Sequence, residues 1–286
     1  ALPGGLGLHG LNGRPFDLIL SNLPGKVGQP VLADMLARMA AHLSPDGRAA
    51  VVIIKPLAEF IKNELEEAGR EILHWEQTKG HAVFHFRGGE TAVSADPFAP
   101  YLRERARFKL PRAHYALETV YGVPEFDSLG YWTTTAVDAL KGETVAGRAL
   151  VWHPGQGHLP VYLHKRFGGK ISHLTLAGRD WLSLLIARRN LLAQGMAETA
   201  VTLAHLPDFT AVTGQFDFIA TFPDQDAGVP WPQMVAEHAA KILAANGRLL
   251  VTAKTAYLTR LLPHRGRLAL GARKKRHGWQ AVVLKG

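Results

Sequence analysis

An internal repeat, spaced 200 residues apart, limits the folds open to this chain. Residues 16–55 align with residues 216–255 without a gap, and ten of the forty positions are identical. The shared residues, numbered in the first copy, are Phe16, Asp17, Ile19, Gly28, Pro30, Ala40, Leu43, Gly47, Arg48 and Val51. A repeat at a fixed spacing indicates a repeated structural unit. At this spacing the unit is a whole domain.

Both copies alternate predicted strands and helices. Short apolar runs predict buried parallel strands, and apolar residues every three or four positions predict helices. The first copy has a predicted strand at 16–21, a helix at 29–43, a turn at Pro45-Asp46-Gly47, a strand at 49–54, a helix at 57–68 and strands at 70–76 and 81–86. The second copy has a strand at 215–220, a helix at 232–244, a turn at Asn246-Gly247, a strand at 248–253, a helix at 255–262 and strands near 267–272 and 279–284.

Further elements precede the second copy. They are a strand at 148–152, a helix through Arg166, a strand at 171–177, a helix at 180–193 and a strand at 199–204. Alternating strands and helices predict an α/β fold whose mostly parallel sheet is covered on both faces. The last two strands predict a terminal antiparallel hairpin. Only fifteen residues precede the first copy and the chain opens with Ala1, so we expect a first domain truncated at its N-terminus.

The amino-acid composition excludes several classes of protein and site. The 286 residues, 47% of them hydrophobic, are enough for one large core or two medium ones. The absence of cysteine excludes disulfides, thiolate metal sites and cysteine nucleophiles, and no histidine spacing predicts a metal site. No apolar stretch approaches the length of a membrane span and no secretory signal opens the chain. We therefore expect a cytoplasmic protein.

Basic residues predict a polyanionic partner. The net charge is +9, which favours RNA, although a basic surface also serves solubility. Two clusters are interleaved with or followed by aromatic residues, and we expect them to bind RNA phosphates and bases. The candidate RNA-binding residues are Arg103, Arg107 and Lys109 in one cluster and Arg273, Lys274, Lys275 and Arg276 in the other. The alternative for the first cluster is a solvated face that pairs with Glu104.

The repeat and the order of elements resemble class I S-adenosylmethionine-dependent methyltransferases, and more narrowly the duplicated ribosomal RNA guanine-N2 methyltransferases. The stretch 121–127, the helix predicted at 135–140 and the closing Arg276-His277-Gly278-Trp279 are similar to segments of that family. The resemblance implies tandem Rossmann-like methyltransferase domains and S-adenosylmethionine as cofactor. It divides the chain into 1–90, the C-terminal half of a first domain, 91–142, a linker and entry segment, and 143–286, a second, degenerate domain.

A glycine turn after the first strand holds the cofactor in that family. The corresponding stretch here, 151–157, keeps Gly155 and Gly157 but has Val151 at the acidic position and His153 at the first glycine. Glycines let backbone approach a ligand closely, and such turns lie at the switch point of the sheet. The resemblance implies that Gly155 and Gly157 contact the cofactor. A glycine pair alone is weak evidence, and a turn that has lost this function fits the pattern better.

Two aspartates are further candidates for cofactor binding. The family has an acid at the end of the second strand that accepts hydrogen bonds from the ribose hydroxyls, at a place occupied here by Gly178. Asp180 lies two residues later, where a helix N-cap suits it better. Asp208, in the loop after the third strand, matches a position that faces the adenine, and a plain loop aspartate fits equally well.

The target-base loop of the family, Asn-Pro-Pro-Tyr/Phe, follows the fourth strand. The first copy has Asn22-Leu23-Pro24 there, so the resemblance implies catalytic roles for Asn22 and Pro24. In the family the asparagine accepts a hydrogen bond from the target amine and orients its lone pair. Asn22 also fits a strand-end turn. The second copy has Phe222, which cannot accept this bond, and Asp224 as a possible substitute.

These residues lead to a first hypothesis and two alternatives. The first is an S-adenosylmethionine-dependent methyltransferase directed at RNA, with guanine N2 of ribosomal RNA as substrate and a non-catalytic second domain. The second is a pseudo-methyltransferase that binds RNA or protein without chemistry. The third is a small-molecule or protein methyltransferase on the same scaffold.

Overall fold

The computed structural model describes residues 15–89, 96, 98–224, 226 and 228–286. They form two compact units. The first unit contains the residues up to Arg103 together with Val120–Gly122, and the second contains Glu104–Thr119 and Val123–Gly286. Among the described helices, none is long and apolar enough to cross a membrane.

The first unit is built on a four-stranded sheet. Its elements are β1 (Phe16–Asn22), α1 (Gln29–Ala41), β2 (Leu43–Ile54), α2 (Ala58–Glu67), β3 (Glu71–Gln77) and β4 (His81–Arg87). The strand order is β1-β2-β4-β3, with β1 parallel to β2 and the other pairs antiparallel. The apolar stripe of α1 supplies Leu32, Leu36 and Met39 to the core, where they join Val51 and Phe84 from the sheet. This stripe is the feature that predicted the helix.

Two strands, β5 (Leu102–Leu110) and β6 (Ala113–Val120), form a separate two-stranded sheet, most of which belongs to the second unit. They lie in the stretch predicted to be a linker and entry segment. Side chains alternate along β5, so that Phe108 and Leu110 are buried while Arg107 and Lys109 are exposed. The alternation is a strand signal, but charged residues fill its outer positions and conceal it.

The remaining elements of the second unit form an α/β sheet of seven strands. They are α3 (Tyr131–Ala139), β7 (Gly147–Trp152), α4 (His158–Phe167), β8 (Ile171–Gly178), α5 (Trp181–Ala193), β9 (Val201–His205), β10 (Phe216–Thr221), α6 (Trp231–Ile242), β11 (Leu243–Lys254), α7 (Thr255–Leu261), β12 (Ala269–Arg276) and β13 (Trp279–Lys285). The strand order is β12-β13-β11-β10-β7-β8-β9. The five strands from β11 to β9 are parallel and the last two along the chain are antiparallel. The predicted parallel-rich α/β sheet is confirmed.

Both faces of the central strands of this sheet are buried. Residues of α3, α4 and α5 pack on one face and residues of α6 and α7 on the other, in two separate hydrophobic clusters. Neighbouring residues of β7 divide between them, since Val151 belongs to the first cluster and Leu150 to the second. Strands buried on both faces are expected to be continuously apolar, which is the pattern that made them predictable.

The sequence repeat is also a repeat of strand pairing. Leu18 pairs with Arg48 in the first unit, and Phe218 pairs with Arg248 in the second, at the same spacing of 200. The register shifts at the same place in both units, after Phe16 pairs with Leu43 and after Phe216 pairs with Leu243. The two sheets therefore share one β–α–β arrangement.

The predicted turns at Pro45-Asp46-Gly47 and Asn246-Gly247 are corrected by this register. Both lie inside strands, β2 and β11. Between the pairs Phe16–Leu43 and Leu18–Arg48, β1 advances two residues and β2 advances five. Each strand forms its first pair before these residues and resumes pairing after them. The turn-forming residues therefore form a bulge-like irregularity within the strand.

Candidate functional site

The gap between β7 and β10 is the switch point of the seven-stranded sheet. From β7 the chain adds β8 and β9 on one side, and it then returns to add β10 and β11 on the other. Ligands of open parallel sheets bind at the carboxyl ends of the strands where the order reverses. The residues that follow β7, β8 and β10 here are His153, Arg179 and the loop from Phe222 to Asp224. We call this place the switch-point crevice.

The glycine turn at the crevice has structural requirements of its own. Gly155 and Gly157 both have positive φ, at 57° and 94°. A Cβ at Gly157 would lie 3.0 Å from the Cα of Ala187 in α5, so this glycine allows α4 and α5 to pack closely. A Cβ at Gly155 would have nothing within 4 Å. Backbone conformation explains both glycines, and helix packing adds a second reason for Gly157.

The ring of His153 bridges the crevice. Its Nδ1 donates a hydrogen bond to the carbonyl oxygen of Phe222, at 3.0 Å. Its Cδ2 would lie 3.0 Å from a Cβ placed on Gly178, the last residue of β8. The backbone of His153 is fixed as well, because its N–H donates to the carbonyl of Ala177 at 2.8 Å. The imidazole thus lies across the ends of β7, β8 and β10.

Charged groups surround this ring. Asp224 is 7% exposed, and its Oδ1 lies 3.6 Å from Nε2 of His153 and 3.4 Å from Nε of Arg179. Arg179 also donates from Nη1 to Asp226 at 2.9 Å. The hydrogen bond to Asp226 and the nearby charge of Asp224 raise the pKa of Arg179. The described part of the chain gives no hydrogen-bond partner to the second oxygen of Asp224.

Asp180 and Asp208 cap helical turns. Asp180 accepts from the backbone N–H of Leu182 at 3.1 Å and from the hydroxyl of Ser183 at 2.5 Å, which uses both carboxylate oxygens at the start of α5. Asp208 accepts from the N–H and hydroxyl of Thr210, at 2.8 Å and 2.5 Å. Both interactions satisfy N-terminal N–H groups that would otherwise lack a partner. The sequence offered the cap as one of two roles for Asp180.

Hydrogen bonds from buried polar side chains join the segment before β7 to the glycine turn, and the sequence did not predict these bonds. Gln156 donates to the carbonyl of Val123 at 2.8 Å, and Nε2 of His158 faces the carbonyl of Glu125 at 2.9 Å. Asn190 donates to the carbonyl of Gln156 at 2.9 Å. Burial lowers the pKa of His158 to about 4. The ring is therefore neutral at pH 7, and with Nε2–H donating, its Nδ1 accepts from the hydroxyl of Tyr115 at 3.2 Å.

Glu125 is the centre of a second, partly buried network. Its carboxylate accepts from the backbone N–H of Gly130, from Nε1 of Trp132 at 2.9 Å and from the hydroxyl of Thr133 at 2.8 Å. Burial raises the pKa of this carboxyl to about 7, although the three hydrogen bonds favour the charged form. The sequence signal was a lone glutamate in a Gly/Pro-containing stretch, which does not predict burial.

Asn22 and Pro24 lie in the first unit, apart from the glycines and aspartates predicted with them. Asn22 is the last residue of β1, and both residues are exposed. Between them Leu23 is 3% exposed and donates its N–H to the carbonyl of Val52 at 2.9 Å. The loop is therefore anchored by its middle residue, and it presents the amide of Asn22 to solvent.

The predicted RNA-binding residues are distributed over two strands. Arg273, Lys274, Lys275 and Arg276 are exposed on β12, the edge strand of the seven-stranded sheet. Arg107 and Lys109 are exposed on β5, whereas Arg103, at the start of the same strand, belongs to the first unit. An edge strand rich in cations is protected from pairing with another chain, and it also offers a row of charges to a polyanion.

Aromatic rings lie beside the β12 cations. Tyr131 is 48% exposed and its ring centroid is 4.2 Å from that of His277, at the turn between β12 and β13. Trp132 and Trp279 are 5.3 Å apart, and Nζ of Lys254 lies 4.3 Å from the ring centroid of Trp279. Exposed rings among cations are typical of surfaces that stack single-stranded bases. We call these five residues the hairpin platform.

No family model matches the sequence, and no curated protein matches it. Solved structures do. The T. thermophilus 16S rRNA N2 G1207 methyltransferase RsmC, in complex with AdoMet and guanosine, is 18% identical with a TM-score of 0.70 over 96% of this chain and 74% of that chain. A methyltransferase from Pyrococcus furiosus is 18% identical with a TM-score of 0.44, covering 54% and 81% of the two chains. A ribosomal protein L11 methylase from Lactobacillus delbrueckii subsp. bulgaricus is 14% identical with a TM-score of 0.43, covering 53% and 77%. The likeness to RsmC shows that this chain has the Rossmann-like α/β fold of a class I methyltransferase.

Proposed function

We propose that this chain is an RNA-directed, S-adenosylmethionine-dependent methyltransferase of two tandem domains, the second of which binds RNA and does not catalyse. The target is an exocyclic amine, with guanine N2 of ribosomal RNA as the leading substrate. The structurally similar RsmC is a 16S rRNA N2 methyltransferase. The shared strand register of the two units supports a duplicated domain.

The position of Asn22 carries the proposal. It ends β1, and the repeat makes it equivalent to Phe222, which borders the switch-point crevice of the second unit. The amide oxygen of Asn22 can accept a hydrogen bond from a target amine and hold the nitrogen lone pair in one direction, which is a positioning effect. The ring of Phe222 cannot do so. In this proposal S-adenosylmethionine would be held by the first domain, beside Asn22, and would supply the methyl group.

The second unit does not fit the cofactor. The family's ribose-binding acid is Gly178 here, and the ring of His153 lies against that residue. Asp180 and Asp208 are engaged as caps, and Gly155 and Gly157 serve the backbone turn. We therefore assign no cofactor to the switch-point crevice. The contacts within this crevice stabilise a domain whose outer surface binds RNA.

RNA binding rests on the β12 cations and the hairpin platform. Four exposed cations on one edge strand can neutralise phosphates, and the exposed ring of Tyr131 can stack on a base. Arg107 and Lys109 on β5 offer a second basic strand within the same unit.

Methyl transfer is the test. The full-length protein is incubated with unmethylated small-subunit ribosomal RNA and tritium-labelled S-adenosylmethionine, and labelled nucleosides are identified after digestion. We expect label in N2-methylguanosine, with a loss of roughly a hundredfold or more in Asn22→Ala, as for other positioning groups. Asn63, exposed on α2, provides the matched control, and Asn63→Ala should keep full activity. No label with the unaltered protein contradicts the proposed reaction.

A second function is supported by the bridge between His153 and Phe222. A crevice filled by its own side chain is what a binding module without chemistry would contain. Calorimetry with S-adenosylmethionine and gel-shift assays with RNA distinguish the two. RNA binding without cofactor binding or label transfer would favour the module.

A further inference from the structure

A basic cavity in the second unit lies outside the switch-point crevice and the hairpin platform. Its volume is about 240 Å³. It is lined by the turn Pro111-Arg112 between β5 and β6, by Leu140–Gly142 after α3, and by Tyr162 and Arg166 of α4. Three elements distant in sequence thus converge on one space.

Tyr162 is the buried part of this cavity. Its side chain belongs to the hydrophobic core and the residue is 3% exposed. No residue in the described ranges makes a hydrogen bond with its hydroxyl, which is at the cavity wall. The hydroxyl is therefore available to a group that enters the cavity.

The remaining polar groups in the wall are cations. Arg112, Lys141 and Arg166 are exposed at its rim. Lys141 forms an ion pair with Asp138 at 2.7 Å. Arg112 and Arg166 have no acidic partner among the described residues. Burial raises the pKa of the Tyr162 hydroxyl, and the positive charges of Arg166, Lys141 and Arg112 oppose this rise.

We propose that this cavity binds a phosphate group. Guanidinium groups donate pairs of hydrogen bonds that match phosphate oxygens, and an ammonium adds a point charge. The hydroxyl of Tyr162 donates to a further oxygen at the base of the cavity. The phosphate is either a free ion or an ester of an RNA strand, and the site is independent of methyl transfer.

The test is a titration of the ¹⁵N-labelled protein with inorganic phosphate at constant ionic strength, followed by amide chemical shifts. We expect saturable shifts at Arg112, Lys141 and Arg166. Arg166→Ala should weaken phosphate binding roughly tenfold or more, as for a lost charge-assisted hydrogen bond. Tyr162→Phe should weaken it less and leave the melting temperature unchanged, because the hydroxyl has no partner within the protein.

Lys165 provides the matched control. It is exposed on the same helix and lies outside the cavity wall, so Lys165→Ala removes the same charge without changing phosphate binding. Competition by oligoribonucleotides identifies the source of the phosphate. Displacement by any oligonucleotide indicates a backbone diester, displacement only by a 5′-phosphorylated one indicates a terminal ester, and no displacement indicates the free ion. Shifts that do not saturate, or that both cavity variants leave unchanged, overturn the proposal.

Discussion

Nδ1 of His153 lies 3.0 Å from the carbonyl oxygen of Phe222, across the gap between β7 and β10. These strands meet at the switch point, where open α/β sheets bind their ligands. A side chain of the protein therefore takes the place at which a ligand would enter. The position of this ring therefore decides whether the crevice can take a ligand.

The contact between His153 and Phe222 predicts that S-adenosylhomocysteine does not bind in the second unit. In the ¹⁵N-labelled protein, the amides of Gly155 and Gly157 should not shift when this product of the cofactor is added. His153→Gly removes the ring at a residue with φ of 57°, a conformation that glycine adopts readily, and should open the crevice. Saturable shifts at both glycines in the unaltered protein would show that the ring is not an obstacle.

The two glycines of the turn should differ in their tolerance of alanine. Gly155→Ala should cost about 1 kcal/mol, because only the left-handed conformation is strained. Gly157→Ala adds a contact of 3.0 Å with the Cα of Ala187, and crowding of this kind adds about 1–3 kcal/mol. Urea unfolding of both variants measures the difference. Equal losses of stability would mean that α4 and α5 adjust at no cost.

Glu125 should make the protein less stable as pH rises. Its pKa is raised from 4.5 to about 7 by burial, so between these values the folded state holds a proton that the unfolded state has released. This difference lowers the free energy of unfolding by about 3 kcal/mol from pH 4.5 to pH 7. Glu125→Gln removes the titration. Its stability, measured by urea unfolding, should rise with pH relative to the unaltered protein, whatever the absolute cost of the substitution.

His158 should act in the opposite direction. Burial lowers its pKa from 6.5 to about 4, so the unfolded state binds a proton first and stability is lost as pH falls through this interval. The contribution is about 3 kcal/mol, and in the unaltered protein it largely offsets that of Glu125. His158→Gln should therefore leave a protein whose stability falls from pH 4.5 to pH 7. Identical pH profiles for both variants would exclude this compensation.

The β12 cations should contribute to RNA affinity by releasing counterions. Lys274→Ala should reduce the slope of log K against log salt by about 0.7 for a single-stranded RNA. Tyr131→Ala should weaken binding by about 1–3 kcal/mol through lost base stacking, with less effect on that slope. Fluorescence anisotropy at several salt concentrations measures both. Lys62→Ala, on α2 of the first unit, is the control, and an equal effect there would indicate non-specific charge attraction.

The elements of the four-stranded and seven-stranded sheets were predictable because each of them buries its apolar residues in a simple pattern. Strands such as β7 and β10 are covered on both faces and are continuously apolar, and α1 and α6 each carry one apolar stripe. The repeat in the sequence predicted directly that β1 and β10 are equivalent strands. The strands β5 and β6 were missed because cations occupy the outer face of β5 and outweigh the apolar residues between them.

The sequence by itself determined the order of strands and helices in the four-stranded and seven-stranded sheets, since periodicity depends only on which face of an element avoids water. Only the tertiary structure decided whether residues at equivalent positions of the two copies are buried or exposed. Leu18 and Leu20 on β1 are 51% and 72% exposed, whereas Phe218 and Ala220 at the same places of β10 are buried. The reason is that β7 pairs with β10, while β1 is the edge of its sheet among the described strands. Likewise, the contact between His153 and Phe222 joins residues 69 apart along the chain, a distance over which no local pattern carries information.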